Sequence, residues 1–529
     1  MTSISSCRRV LAAVAVLAVA AATARANSPA PPPCDDATFL RRAALDLVGR
    51  QPSPDEIETF LADRSPGKRA AVIDRWLADP AWATTWARYF RDVILSRRSD
   101  DRAVAMGPSL EAFFAGHLER QAAWDEIARD VITATGLPSE NGGTAIIVAQ
   151  MGETSDIAAE VSRVFTGVQI QCAQCHDHFT DRWKRQQFHE FAAFFPRIAI
   201  RRGPGDGLDR FEVVAFDRAP RKSRGKNLDN PRRGDLEHEM PHIDDPSLPG
   251  TVMQPRFFLG GPALPLGTPD QERRQAAARL ITSEDNPWFA RAIVNRVWTE
   301  LVGDGFYDGI DDLGPDREPR SPEVLDELCR RFVAADHDLR ALFRDVMATP
   351  AYQSAGRSRG DAGRPVGSAS CPQRLRADQL FTQVLAALGV EEGQLAARLA
   401  DRPGAKSGGR RQLGLPRAVF NQTFGYDPSL PRDEIVGSIP QALLLMNSQP
   451  LARAIDGDRR GTLLGRLLAD TPDDRELADE LHLRTLARHA TPAEIAVCLE
   501  HVRETGDRAD AFEDIFWALV NSAEFIHRN

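Results

Sequence analysis

Apolar residues recur at helical spacing along most of this chain. Phe39, Leu40, Ala43, Ala44, Leu47 and Val48 come in pairs every four residues, which predicts a helix with one buried face. Ser53-Pro54-Asp55-Glu56 follows, combining a Ser N-cap, Pro at the first helical position and Glu at the third. The same combination returns at Thr491-Pro492-Ala493-Glu494. Both copies sit in an Arg-x-x-[Ser/Thr]-Pro-x-Glu-Ile frame, starting at Arg50 and Arg488, which reads as one capping solution reached twice. Asn286-Pro287 and Ser321-Pro322 open two more amphipathic segments. The first aligns Phe289, Ile293, Val294, Val297, Trp298 and Leu301; the second aligns Val324, Leu325, Leu328, Phe332 and Val333. The pattern predicts a mainly α protein.

One long stretch departs from it. From about Arg201 to Gly261, Gly, Pro, Arg and Asp dominate, with strand-like pieces only at Phe211–Phe216 and Thr251–Leu259. The expected architecture is therefore a helical domain over 34–200, an irregular connection with a small β element over 201–262, and a second helical domain over 263–529. Gly- and Arg-rich loops interrupt the last of these at 356–372 and 404–416. The cluster Arg218, Arg221, Lys222, Arg224 and Lys226 reads as a solvated loop.

Composition narrows the function classes. The chain has 529 residues, 42% hydrophobic and 27% charged, which excludes disordered and collagen-like readings. Its net charge of −9 makes it a poor general nucleic-acid binder, and no nucleic-acid partner is expected. The start of the chain, residues 1–26, has the form of a secretory signal peptide: Arg8 and Arg9, an apolar run from Val10 to Ala22, then Ala24-Arg25-Ala26. The run is shorter than the roughly 17–25 residues of a membrane span, so no transmembrane anchor is expected after cleavage. The mature protein is expected to be exported, periplasmic or extracellular, where free thiols oxidise. Of seven cysteines, Cys7 would leave with the leader, and Cys34, Cys329, Cys371 and Cys498 have no motif spacing.

The remaining two, Cys172 and Cys175, stand in Gln171-Cys172-Ala173-Gln174-Cys175-His176-Asp177-His178. C-x-x-C-H is the attachment motif of a c-type haem. On a helical turn, positions i, i+3 and i+4 share a face, so both thiols reach the porphyrin vinyl groups while the imidazole lies against the iron. His176 is then the proximal iron ligand. A small disulfide loop, a zinc site drawing on His176, His178 or His189, and an inert buried pair compete with this reading. Were the helix continuous, His178 and His189 would face away from His176, so a distal ligand would come from Met151, Met240, Met253, His238 or His242. Arg163, Arg182, Lys184 and Arg185 are near enough in sequence to neutralise propionates.

Two other constellations are weaker. Gly303–Asp312 crowds Asp304, Asp308, Asp311 and Asp312 together but lacks the alternate acids and closing Glu of a calcium-binding EF-hand. Beside Cys175, that loop would place a site between the two halves. His238-Glu239-Met240-Pro241-His242 imitates a zinc-protease motif, but Pro241 denies the helix that motif needs.

Several motifs together resemble known domains. Leu45-Asp46-Leu47-Val48-Gly49, Pro52-Ser53-Pro54-Asp55-Glu56, Cys172–His178 and Phe191-Ala192-Ala193-Phe194-Phe195 resemble the PSCyt cytochrome-like domain, domain of unknown function 1549, of exported planctomycete-type proteins. Asn286–Arg291, Asn295–Trp298, Gly309–Asp312 and Trp517–Phe525 resemble its usual partner, the PSD-type domain of unknown function 1553. The resemblance implies a cytochrome-like role through Cys172, Cys175 and His176. His178 and Asp181 also fall on the pattern, which adds them as candidates for a second metal. The chain departs from the pattern at Phe179-Thr180-Asp181, where relatives have Pro-Phe-Asp. The expectation is an exported protein carrying one covalent haem c, engaged in electron transfer or as an oxidoreductase, with an exported c-type cytochrome or other redox protein as partner. The competing expectation is a non-haem metal site, zinc or another transition metal, on a helical binding scaffold. Metal-ligand candidates are His176 for the haem iron and His178, Asp181, Met240 and His242 beyond it.

Overall fold

The computed structural model describes residues 32–98, 101–205, 207–217, 236–245, 247–356, 369–393, 416–430, 435, 437–447 and 449–528. The leader at 1–26 and the basic cluster at 218–226 lie outside the described residues, as does most of each of the loops at 356–372 and 404–416. Elsewhere the protein is mainly α-helical, as the apolar periodicity predicts. Among the described residues, no helix is long and apolar enough to cross a membrane.

The helix starts form as their sequences dictate. Ser53 and Thr491 each accept from the amide three residues on, while Glu56 and Glu494 reach back to the cap amides, closing two full capping boxes. Arg50 pairs with Glu56 at 2.7 Å and Arg488 with Glu494 at 2.8 Å, so the shared sequence frame is one structural device used twice. Asn286 caps Pro287–Val302 through Trp288 N–H. Ser321 starts Pro322–Ala334 differently: it adopts φ 51° and makes no side-chain cap.

The first helix, Asp36–Val48, departs from expectation. A single buried face was predicted, yet Phe39 to Val48 are all buried, Arg41, Arg42 and Asp46 among them. The polar side is covered by distant chain. Asp46 accepts from Arg528 at 2.7 Å and from the Tyr352 hydroxyl at 2.8 Å, and Arg41 donates to Glu524 O at 2.7 Å. Buried charge is tolerated there because each group has a partner.

One apolar core runs from Cys34 to Tyr352, takes in Leu483 and Ala487, and includes Val213, Phe257 and Phe258 of the irregular interval. A second gathers Leu45 with Leu375 to Phe525. The interval 201–262 thus lies along one core instead of parting two. It carries two small antiparallel sheets: Ile198–Arg202 with Phe211–Ala215, and Glu239–Met240 with Thr251–Val252. The second expected strand is therefore shorter than Thr251–Leu259. A third pair, Gln373–Arg374 with His527–Arg528, ties the C-terminus to the second core.

Candidate functional site

The Cys-x-x-Cys-His segment is positioned by the helix Thr154–Thr166. That helix stops at Gly167, whose φ of 67° only glycine adopts cheaply. Gly167 O accepts from Leu313 N at 2.9 Å, which binds the turn to the second half of the chain. Next comes a 3₁₀ turn, Ile170–Gln174. Ile170 and Ala173 face the core at this three-residue period, so Cys172 and Cys175 share the outer face. Both thiols are exposed and unpaired.

His176 follows, also exposed. Its Nδ1 lies 2.8 Å from Asp177 O. A carbonyl only accepts, so Nδ1–H donates and Nε2 keeps the lone pair that binds metals. The ring meets Phe179 at 4.0 Å, and Phe179 is 83% exposed.

The continuous helix assumed for this segment does not form. The 3₁₀ turn ends at Gln174, the chain loops through 175–184, and a new helix runs Arg185–Ala192. The cause is Trp183, 3% exposed and edge-on to Phe258 at 5.3 Å, which draws the chain inward. His178 N–H closes the loop on Trp183 O at 2.8 Å. Asp177 accepts from Arg185 N and Lys184 Nζ, both at 3.0 Å, and these bonds hold its carboxyl below the usual range.

His189 therefore does not point away from the motif. It lies behind it, 2% exposed, with Nε2 3.0 Å from Gln174 O and Nδ1 2.9 Å from His238 Nε2. Nε2–H donates to the carbonyl, leaving Nδ1 to accept from His238. Burial holds His189 down to about 4; the Gln174 bond opposes this only in part. The irregular interval reaches the same place: Arg185 donates to Pro241 O at 2.6 Å.

The other predicted ligands are spread out. His178 is half-buried, its Nδ1 accepting from Thr180 N at 3.2 Å. Met240 stands in a two-residue strand, half-buried, and His242 is exposed with Nδ1 accepting from Asp245 N at 3.2 Å. Met253 is buried and Met151 is 47% exposed. Among the described residues, no three His, Cys or acidic groups of this segment bring ligand atoms within 4.8 Å of one another; the group that does is His117, Glu126 and Asp130. Glu239–Met240 is strand, so His238–His242 has no zinc-protease helix.

Asp181 meets the second half of the chain. It shares a hydrogen bond with Asp316, and burial raises its pKa. Gly314 packs so close that a Cβ there would collide with Asp181 Oδ2. Arg317 donates to Thr180 O at 2.7 Å and pairs with Asp312 at 3.1 Å; Arg182 pairs with Asp316 at 2.7 Å. The segment from Asp312 to Arg317 thus borders the Cys-His loop. The acids before it do not form a calcium site. Asp311 lies between Arg163 and Arg296, Asp308 pairs with Arg320, and Asp304 accepts from Cys371 Sγ at 3.8 Å. Arg163 is accordingly committed to Asp311 and Glu160 and is 4% exposed, so it is not placed to meet a propionate.

Sequence reasoning missed the pairing of buried His189 with half-buried His238 and the Arg163–Asp311–Arg296 cluster. Neither carries a local signal, because the partners come from 49 and 148 residues away.

Two family models match the chain. Residues 17–199 match the family model PSCyt2, a protein of unknown function (DUF1549). Residues 273–415 match PSD1, a protein of unknown function (DUF1553). Trp517–Phe525 lies beyond the second match. No curated protein and no solved structure matches the chain.

Proposed function

We propose, from the premise that this chain belongs to the proteins joining a PSCyt2 (DUF1549) domain to a PSD1 (DUF1553) domain, that it is an exported redox protein carrying one covalent haem c. The observation that carries the reading is the donor set: two exposed, unpaired thiols three residues apart, and an adjacent imidazole whose Nδ1–H is held by Asp177 O. These residues fit the group. Cys172 and Cys175 would each add across one vinyl C=C, sulfur taking one carbon and the thiol proton the other, with no oxidant or reductant consumed. His176 Nε2 is the donor left for the iron. When bound, the haem supplies a one-electron redox centre at the surface, open to an exported c-type cytochrome or other redox protein.

The chain's own residues hold that surface. Asp177 orients His176 and caps the next helix, His189 fixes the Gln174 carbonyl, and Arg317 clamps Thr180. The test is the exported protein made with cytochrome c maturation. An intense Soret band, and a mass raised by one haem that Cys172→Ser/Cys175→Ser abolishes, support the reading. A colourless protein with stoichiometric zinc bound through Cys172 and Cys175 supports the non-haem alternative instead.

A further inference from the structure

We infer that His117, Glu126 and Asp130 form a second site, for a divalent transition-metal ion, at the rim of a cavity apart from the Cys172–His178 loop. His117 lies in the last turn of the helix Asp101–Glu119, and Glu126 and Asp130 lie one turn apart on the helix Trp124–Ile132. The connection is a tight turn with Gln121 at φ 58° and Ala122 N–H on His117 O at 2.9 Å, which sets the end of one helix over the acidic face of the next. One ligand atom from each residue lies within 4.8 Å of the other two.

The imidazole is built in, not merely nearby. Its side chain is 12% exposed, its ring packs on Phe113 at 4.2 Å, and Nδ1 lies 2.8 Å from Phe113 O. Nδ1–H therefore donates to that carbonyl, the arrangement that orients metal-bound histidines, and Nε2 faces Asp130 Oδ2 at 2.9 Å. With Nδ1 held by the carbonyl, Nε2 and the Asp130 carboxylate face each other as two donors for one cation. Glu126 and Asp130, like charges at i and i+4, also call for a cation. Arg120 supplies one, 2.6 Å from Glu126 and 3.8 Å from Asp130, but its side chain is 50% exposed and can swing away.

The cavity is the independent observation. It is an open hollow of about 910 Å³, and His117, Arg120 and Asp130 line it together with Phe113, Thr135 and Asn141, with Glu126 outside the lining. That volume lies in the range of small-molecule sites, so coordination positions left open by three protein ligands would face this open hollow. One imidazole nitrogen and two carboxylates suit zinc or a neighbouring first-row ion better than calcium, which prefers oxygen donors alone.

The test uses the full chain with Cys172→Ser/Cys175→Ser, so that thiols cannot hold the ion, and zinc or cobalt(II) alone as probe. Calorimetry should find one equivalent, and cobalt(II) should give a visible spectrum without sulfur charge transfer. His117→Gln and Asp130→Asn should each weaken binding at least 10-fold, as loss of a ligand does, whereas Arg120→Gln should tighten it by removing the competing cation. Circular dichroism checks folding, and Glu126→Gln, at a half-exposed position, stands in should His117→Gln unfold. No saturable binding, or equal binding in the His117, Asp130 and Glu126 variants, would overturn the assignment.

Discussion

Asp311→Asn is the sharpest perturbation of the packing between the two family-matched segments. Asp311 is 1% exposed and sits between Arg163, at 2.6 Å and 4% exposed, and Arg296, 2% exposed. Burial alone would push its carboxyl up, but the charges of Arg296 and Arg163 prevail and hold it below the ordinary range. Replacing the carboxylate with an amide leaves the partners unequal. Arg163 keeps Glu160, whereas among the described residues Arg296 retains the Ser429 hydroxyl at 3.3 Å. Stranding one buried guanidinium costs about 3–5 kcal/mol. Urea unfolding followed by tryptophan fluorescence should show that loss. Arg296→Met in the same background should recover part of it, with a coupling of about 1–3 kcal/mol in the double-mutant cycle. A loss under about 1 kcal/mol, or strictly additive effects, would refute the view that this cluster is a tightly coupled buried unit.

Other consequences can be checked on the same protein. His189 is held at about 4 in the folded chain against about 6.5 unfolded, so its contribution is present above pH 6.5 and lost as pH falls to 4. At most about 3 kcal/mol is at stake, and His189→Gln should flatten that part of the stability profile; an unchanged profile contradicts burial of a neutral His189. Ser53→Ala and Thr491→Ala should each cost about 1 kcal/mol in thermal or urea unfolding, because each removes an N-cap. Glu56 is held down to about 2, burial being outweighed by Arg50 and the Ser53 amide, so its share of stability persists above pH 4.5 and disappears as pH drops to 2. Glu56→Gln should remove that acid-side loss. Gly314→Ala should cost under about 1 kcal/mol, because the atom it meets, Asp181 Oδ2, is the free end of a side chain that can turn aside, and Asp181→Ala should abolish that cost; a cost that persists with Asp181→Ala would mean that Asp181 is not the obstacle.

Local features of the fold were legible and long-range ones were not. The capping boxes at Ser53 and Thr491 follow from four-residue strings, and so does the start of Pro287–Val302 at Asn286, but its periodicity suggested one buried face where the structure buries all but Pro287 and Arg291, Asn295, Arg296, Thr299 and Glu300 included. The helix Asp36–Val48 reads as amphipathic because its polar residues look like a solvated face. Arg528 and Tyr352 turn that face into core, and nothing near Asp46 announces them. At the candidate site, spacing identified Cys172, Cys175 and His176, and the structure keeps both thiols on one outer face. Helical extrapolation past Gln174 failed because burial of Trp183 outweighs continuation of the helix. That failure hid His189, which the loop places against the motif's own backbone.

What Cys172, Cys175 and His176 hold decides between a haem protein and a non-haem metal protein. Intact-mass analysis of the denatured exported protein, made with cytochrome c maturation, tests it most directly. One haem should be retained through thioether bonds and lost in Cys172→Ser/Cys175→Ser. A chain of unmodified mass, with both thiols free or engaged by zinc in the native protein, would contradict it.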